Sequence, residues 1–572
     1  MFESILRRVG ALNRHAFARV GIFCACLSWA AAALAQTDEF HSVEPADIQE
    51  RAQPKAEPPA KVDIPLPPRE PVAKAEAGPA FVLTGVQITG ATVYSEAELA
   101  PIYEPYLARS ISLAEIEKIV TAITEKYRQD GYILSRALAL PQDLDFGLLQ
   151  IDVVEGFIAE VVFEGVIGGR KELLTAIADK LKGIQPLTQA ALERYVMLLG
   201  DLPGLSARPA LRQLDPASGA HVLVLSLDYD AFEGFASIDN KSTRTVGRHV
   251  AQLSGNFNSF MGLQERTGVY LFSVPDSARE LLFGQIQHEH TLNAEGTKIG
   301  IDGWHSLIES GAHLKQFDLD SRDSRLAVYL VHPLFRGRDL SLFITGTFDY
   351  RNTDERTRSV KIYDDRIRSA RLTVRNFFTD GLDGENLLIA TASQGFEVLD
   401  ASDNDDVTLS RTGGKVDYAK LAGSYTRWQA LPGPYSAVLG LKGQVASDGV
   451  LSAEEFRAGG GNFGRAYDGS ETSGDHGAAG YLELRQDLAE RNRIFLSSQV
   501  FGFYDLAAAW NDTPASGTFK TSLASAGIGV RTLLPNKVRA TVEVAKPLTH
   551  KVQAEGLQGD HWRFFFSLNV NF

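Results

Sequence analysis

Trp562-Arg563-Phe564-Phe565-Phe566-Ser567-Leu568-Asn569-Val570-Asn571-Phe572 closes the chain, and its alternation decides the fold. Trp562, Phe564, Phe566, Leu568, Val570 and Phe572 fall on one face. Arg563, Phe565, Ser567, Asn569 and Asn571 fall on the other. Successive side chains of a strand point to opposite sides. Apart from Phe565, one face is wholly apolar and the other polar, which suits a strand between lipid and a watery interior. A half-buried strand of a soluble sandwich would alternate too, so the rest of the chain must decide.

Working back from this segment, residues 231–572 keep the same texture and lack helical stripes. Ala437, Leu439, Leu441 and Val445 alternate with Lys442 and Gln444. Ala370, Leu372 and Val374 alternate with Arg371, Thr373 and Arg375. Polar turns such as Thr379-Asp380-Gly381 and Pro432-Gly433-Pro434 separate such segments. At roughly 20 residues per strand with its connection, this region predicts an antiparallel transmembrane β-barrel of about 16 strands. Such a barrel is wide enough for an aqueous channel, so it needs a plug or a gate.

Residues 80–230 read differently, as an α+β pattern that occurs twice. In the first copy Val82–Thr89 predicts a strand. Ser95 with Glu98 and Ser112 with Glu115 are capping boxes opening two helices. The second helix places Leu113, Ile116, Ile119, Val120, Ile123 and Tyr127 on one stripe, and strands follow over about 132–140 and 148–154. The second copy begins at Ala159-Glu160-Val161-Val162-Phe163, with helices over 171–181 and 187–199 and strands over 206–214 and 221–227. Gly90 and Gly165 are the equivalent strand-end glycines. Each copy is small enough that the two are expected to brace each other.

Residues 1–35 read as a secretory signal, with Arg7, Arg8, Arg14 and Arg19 ahead of an apolar run ending in Ala33-Leu34-Ala35. Residues 36–79 are a Pro-rich linker with one stretch, near Asp47–Arg51, capable of a short plug helix. The expected domains are therefore 1–35 signal, 36–79 linker, 80–156 and 157–230 two α+β units, and 231–572 barrel. Both cysteines, Cys24 and Cys26, lie in the signal, which excludes a disulfide framework and a thiolate metal site from the mature chain. Without residues 1–35 the chain keeps 53 of its 57 basic and 70 of its 71 acidic side chains, a net charge of −17, which argues against a nucleic-acid partner. Beyond the signal no apolar run reaches the roughly 18 residues of a membrane helix.

The stretch that points to a mechanism is Gly459-Gly460-Gly461-Asn462-Phe463-Gly464-Arg465-Ala466-Tyr467-Asp468, followed by Ser473-Gly474-Asp475-His476-Gly477 and the strand Gly480–Arg485. It is too long for a hairpin turn, and long loops in compact proteins are usually functional or disordered. An arginine among aromatics could fold back into a wide barrel. In the strand read over Arg493–Ala507, Ile494, Leu496, Val500, Tyr504 and Leu506 share one face while Ser497, Gln499, Phe501, Phe503 and Asp505 share the other. Asp505 is thus a lumen-facing carboxylate, and an Arg465–Asp505 contact, which can be bidentate, is the expected lock. Two solvated charges that never meet remain the alternative from periodicity alone.

These features together resemble the transporters of two-partner secretion, the ShlB/FhaC/HecB branch of the Omp85 superfamily. The likeness covers nearly the whole mature chain: two POTRA-like repeats, the barrel, the Phe463-Gly464-Arg465-Ala466-Tyr467 loop, Phe503-x-Asp505-x-Ala507 and the terminal Phe572. Ala466 and Ala507 stand where the family usually has glycine. The resemblance implies that Arg465 and Asp505 lock the loop inside the barrel, with Phe463, Gly464, Ala466, Tyr467, Gly474 and Asp475 as loop motif and Phe503 and Ala507 as wall motif. It implies that Phe566, Leu568, Val570 and Phe572 form a C-terminal assembly signal for the barrel-assembly machinery. The POTRA repeats would capture a secreted exoprotein, such as a β-helical adhesin or haemolysin.

Enzyme readings find little support in the residues. Gly459-Gly460-Gly461 lacks the Gly-Lys-Ser/Thr ending of a phosphate loop. His288 and His290 share a face without a third zinc ligand. His476 beside Asp475 and Ser473 is not the layout of a hydrolytic triad. The reading is a monomeric outer-membrane translocator with periplasmic docking domains that uses no cofactor, metal or nucleotide. Its rivals are a barrel assembly or insertion factor, which usually has more repeats, and a passive porin, which needs no docking domains.

Overall fold

Both capping boxes start helices. Ser95 and Glu98 open α1 (Glu96–Tyr103), and Ser112 and Glu115 open α2 (Leu113–Gln129). In each, the serine side chain meets the N3 amide while the glutamate accepts the serine N–H. The structure, a computed structural model, describes residues 80–572 except 145, 216, 276, 278, 462, 490–492, 512–519 and 554–558. The signal and the linker expected over 1–35 and 36–79 lie outside the described residues.

The first unit holds β1 (Phe81–Val82), β2 (Gly85–Thr89), β3 (Ser110–Ile111), β4 (Arg136–Leu138) and β5 (Leu148–Val154). The strand expected over Val82–Thr89 is two strands. β1 pairs with β3, and the chain then bends at Leu83-Thr84 so that β2 can pair with β5. The strand expected over 132–140 shrinks to β4 for a physical reason. The backbone of Tyr132, Ile133 and Ser135 is spent in turn hydrogen bonds, and the Leu134 side chain leaves for the core of the second unit.

The second unit consists of β6 (Phe157–Gly165), α3 (Lys171–Lys182), α4 (Gln189–Gly200), β7 (Leu205–Asp215) and β8 (Ala220–Tyr229). Its sheet order β6-β8-β7 repeats the first unit's β2-β5-β4, with the outer strand parallel to the central one and a hairpin on the other side. Gly90 and Gly165 mark the repeat. Both have positive φ, and a Cβ would stand 2.2 Å from Val153 O at Gly90 and 2.1 Å from Leu227 O at Gly165. Only glycine fits such a close approach. Gln189 N donates to Gly131 O at 2.8 Å, and Leu187 N to Gly156 O at 2.9 Å, tying the units together beside Leu134.

From Phe232 the chain forms a closed antiparallel cylinder of 16 strands. They are β9 (Phe232–Asp239), β10 (Val250–Asn258), β11 (Glu265–Ser273), β12 (Leu282–Thr291), β13 (Lys298–Glu309), β14 (Leu319–Arg336), β15 (Leu340–Thr357) and β16 (Val360–Thr379). The circuit continues through β17 (Glu385–Gly395), β18 (Ala419–Ala430), β19 (Tyr435–Ala446), β22 (His476–Leu488), β23 (Ser497–Trp510), β24 (Lys520–Leu533), β25 (Val538–Pro547) and β26 (Arg563–Asn571). The small hairpin β20 (Phe456–Ala458) and β21 (Thr472–Gly474) belongs to the long connection between β19 and β22. Leu484, Ile528, Val542 and Phe564 stay 55–69% exposed on the outer surface. A protein in water rarely leaves so continuous an apolar band bare, whereas lipid covers it.

The strand expected from Arg493 begins only at Ser497. The terminal strand fits as read, and its one irregularity has a cause. Phe565 is 5% exposed inside the barrel, clustered with Ala466, Phe501, Phe503 and Ala545. The seam between β26 and β9 is the shortest ladder in the cylinder, five pairs from Ser567↔Asp239 to Asn571↔Phe235. Beyond it Gly234 and Phe572 exchange backbone N–H bonds at 2.7 and 2.9 Å.

The second α+β unit docks on the short turns at one end of the barrel. Arg336 grips Asp201, just past α4, from Nε and Nη2, both at 2.7 Å. Lys298 Nζ donates to Asp201 O at 3.2 Å, and Glu295 pairs with Lys180 at 2.9 Å and Arg194 at 3.2 Å. The opposite end of the barrel carries the long loops.

Candidate functional site

The connection between β19 and β22 turns back into the cylinder. Its tip is a tight knot: Gly459 N bonds Phe463 O at 2.9 Å, Gly460 N bonds Gly464 O at 3.0 Å, and Tyr467 N bonds Gly464 O at 2.8 Å. Gly464 has φ +110°, and a Cβ there would stand 2.7 Å from Leu523 Cδ1 on β24, so the tip requires glycine at this place.

The knot aims Arg465 at the wall. Its side chain is 4% exposed, and the guanidinium lies over the Phe503 ring at 3.8 Å. The expected Arg465–Asp505 contact exists in altered form. Nη2 stands 3.4 Å from Asp505 Oδ1 without making a hydrogen bond, while Nη1 donates to Glu483 Oε2 at 2.5 Å. Asp505 holds the loop's backbone instead: Oδ2 accepts from Arg465 N at 2.9 Å, Gly464 N at 3.3 Å and Ser525 Oγ at 2.9 Å. No bidentate pair forms, because the register sets Asp505 opposite Tyr481 and under the tip's amides.

Glu483 is the anion that the sequence reading passed over. It also accepts from Arg485 Nε at 2.7 Å and Arg531 Nη2 at 3.0 Å, so three guanidiniums share one carboxylate. The signal was present in Tyr481-Leu482-Glu483-Leu484-Arg485, where Leu482 and Leu484 face outward and leave Tyr481, Glu483 and Arg485 for the lumen.

The other motif residues surround this contact. Phe463 packs edge-on to Tyr481 at 5.3 Å. Ala466 is fully buried in the pocket of Phe501, Phe503, Ala545 and Phe565. Ala507 lies with Tyr467 in the adjoining apolar cluster. Ala466 is absent from the positive-φ residues, so alanine is accommodated without strain. The Tyr467 hydroxyl accepts from Thr549 N at 3.2 Å and His550 N at 3.3 Å. Arg563, on the polar face of the last strand, donates to Ala466 O at 2.8 Å and Asp468 Oδ1 at 2.5 Å, a second contact that the sequence reading did not assign. At the loop's far end Asp475 is buried, pairs with Arg411 at 2.5 Å and accepts from Val450 N at 2.8 Å. A Cβ on Gly474 would come within 2.8 Å of Trp510 O.

Glu471, in the loop between Asp468 and β21, is 7% exposed. Burial pushes its carboxyl up to about 8, with Asp468 adding to the rise, while the Gln553 N–H and Arg563 oppose it. Phe566, Leu568, Val570 and Phe572 all point outward along the seam strand. His288 shares a hydrogen bond with Thr267 at 3.0 Å. Among the described residues no three His, Cys, Asp or Glu side chains are grouped to hold a metal ion.

Residues 81–156 match the family described as POTRA domain, ShlB-type. The heme/hemopexin transporter protein HuxB of Haemophilus influenzae is 22% identical over 508 residues, 86% of this chain and 87% of that protein. The outer membrane transporter CdiB of Escherichia coli is 27% identical over 285 residues, 48% of this chain and 47% of its own. The solved structure of CdiB from Escherichia coli superposes with a TM-score of 0.71 at 19% identity, covering 90% of this chain and 94% of that one, and shows the same fold. The chain is an outer-membrane β-barrel with POTRA architecture. Over most of its length its sequence is similar to proteins that are outer-membrane transporters, and its first unit is a ShlB-type POTRA domain.

Proposed function

We propose that this protein captures a secreted exoprotein in the periplasm and passes it outward through its barrel, with the Arg465 loop as the gate. The observation that carries the reading is a loop seated inside a closed 16-strand cylinder by polar contacts to Glu483, Asp505 and Arg563, all of which water or another chain can replace. The division into a signal over 1–35, a linker over 36–79, POTRA units over 80–156 and 157–230 and a barrel over 231–572 belongs to the same reading. β2 and β6 are edge strands of three-stranded sheets, open to an extended client that adds main-chain hydrogen bonds. Folding of the client outside the cell would give direction without nucleotide.

The curated relatives are transporters rather than enzymes. In this reading the chain is no enzyme, needs no cofactor and works as a monomer in lipid. The outward row Phe566, Leu568, Val570 and Phe572 serves as the signal that the barrel-assembly machinery reads. The test is secretion of the partner by cells carrying Arg465→Ala at equal outer-membrane levels. Loss of external partner with the barrel still assembled supports the gate; wild-type secretion rejects it. Deleting Ala80–Tyr229 without loss of secretion would reject capture by the docking units.

A further inference from the structure

A second cluster holds the same loop at another part of the wall, and the mechanism above does not use it. The short turn Ser452–Glu454 dips into the lumen before the loop reaches its tip, and Glu454 is 2% exposed. Arg371 on β16 meets its carboxylate from Nη2 at 2.7 Å and Nη1 at 3.2 Å. Lys420 on β18 donates to Oε2 at 2.6 Å and to the Glu454 carbonyl at 2.9 Å. Gln444 on β19 bonds the same carbonyl at 2.9 Å, and Arg351 on β15 bonds Ala453 O at 3.2 Å. A cavity of about 260 Å³ opens beside the cluster, lined by Arg325, Asp349, Arg351, Arg371, Lys420 and Glu454.

Part of the ion pairing on this wall is supplied by the loop. Arg325 pairs with Asp302 and Asp349, Arg351 with Asp323 and Arg371 with Asp349, while Glu454 comes from the loop to pair with Arg371 and Lys420. Among the described residues Glu454 is the one carboxylate within ion-pair distance of Lys420. Arg371 keeps Asp349, but Asp349 is shared with Arg325. When the loop leaves, a fork from Arg371 and the Lys420 ammonium are left aimed at the lumen without the carboxylate that joins them. A planar fork with an ammonium beside it is the geometry that receives a carboxylate.

We propose that Arg371 and Lys420 form a carboxylate-binding site on the lumen wall, which Glu454 fills while the loop is docked and an acidic side chain of the exported polypeptide fills once it is displaced. This rests on the export reading. The loop then carries its own stand-in for the client, and release of the gate is coupled to arrival of negative charge in the lumen. A client Asp or Glu exchanges with Glu454 one for one, so the wall is never left with a desolvated cation.

The test is current through the purified full-length protein in planar lipid bilayers, which needs no partner and so is independent of secretion. The probes are soluble peptides of Ser-Gly-Glu or Ser-Gly-Lys repeats added from the POTRA side. Glu454→Gln is expected to raise the open fraction by about a hundredfold or more, the shift that loss of a buried charge pair gives a two-state equilibrium. In that variant the Glu peptide should block at a concentration about tenfold below that of the Lys peptide, one decade of selectivity being the scale of a single charge-assisted contact. The double variant K420M/E454Q, which removes one charge of each sign and guards against a folding defect, should lose the preference for the Glu peptide. Equal block of Glu454→Gln by both peptides, an unchanged open fraction, or equal block by acetate at matched carboxylate concentration would each overturn the site. Secretion lost in Arg465→Ala with peptide selectivity intact would leave both readings standing, and secretion retained there would sink only the gate.

Discussion

Arg465 reaches Glu483 with its side chain and Asp505 with its backbone: Nη1 lies 2.5 Å from Glu483 Oε2, and the amide N lies 2.9 Å from Asp505 Oδ2. The two carboxylates stand on neighbouring strands, and each does a different part of the holding. One neutralises the guanidinium; the other fixes the shape of the tip.

That division predicts unequal effects of the two isosteric changes. Glu483→Gln leaves Arg465, Arg485 and Arg531 short of their shared anion and should weaken loop docking by about 3–5 kcal/mol, the cost of breaking a buried pair. Asp505→Asn keeps a carbonyl oxygen for the Gly464 and Arg465 amides and should cost about 1 kcal/mol. Hydrogen exchange over 459–468 ranks the two variants. The reverse ranking would make Asp505 the main anchor.

Docking of the loop should depend on pH through Glu471. Its carboxyl in the docked loop is raised to about 8 from an ordinary value of 4.5. The docked form therefore holds the proton more tightly than the released form. Docking is strongest below pH about 4.5, weakens as the pH climbs towards 8 and levels off above it. Asp468, Arg563, His550 and the Gln553 N–H are the groups facing it. Channel openings recorded across this window should rise with pH, and Glu471→Gln should flatten the profile. A rise that survives Glu471→Gln points to a different titrating group.

Asp201 and Arg336 should hold the second POTRA unit against the barrel. The contact is two parallel charge-assisted bonds, and the Arg336 side chain is 9% exposed. A double-mutant cycle of Asp201→Ala and Arg336→Ala on thermal unfolding in detergent should return a coupling of about 1.5–3 kcal/mol. Hydrogen exchange at residues 292–297 should rise in both single variants. Coupling within the error of zero would show the docking to rest on other contacts.

The seam is exposed to a steric test. A Cβ on Gly234 would stand 2.2 Å from the Phe572 ring. Gly234→Val should part the short β9–β26 ladder or expel the ring, at a cost of about 1–3 kcal/mol. The folded, heat-modifiable band on gels should diminish, and adding Phe572→Ala should restore part of it. If Gly234→Val alone folds as the parent does, Phe572 does not close the seam.

Much of this architecture was legible in the residues, and for a local reason. The capping boxes at Ser95 and Ser112, the stripe through Ile116, Ile119, Ile123 and Tyr127, and the outward row of the last strand each follow from dihedral angles over a few residues. Asp505 was placed on the lumen face by simple alternation, because a strand's period is two wherever it lies, and the same alternation puts Glu483 there although it was passed over. The strand expected over 132–140 failed where Leu134 was claimed by a neighbouring unit, a contact that no local pattern encodes.

The sequence by itself determined the alternation that assigns side chains to the two faces of a strand and a barrel of about 16 strands, and it left open whether the arginine-bearing loop enters that barrel. Only the tertiary structure decided who meets whom: Arg465 with Glu483, Arg563 with the Ala466 carbonyl, Glu454 with Arg371 and Lys420. Direction is set by the backbone of one strand, whereas partnership depends on the register of several strands and on the depth to which a loop from elsewhere descends. Those quantities exist only once the cylinder has closed.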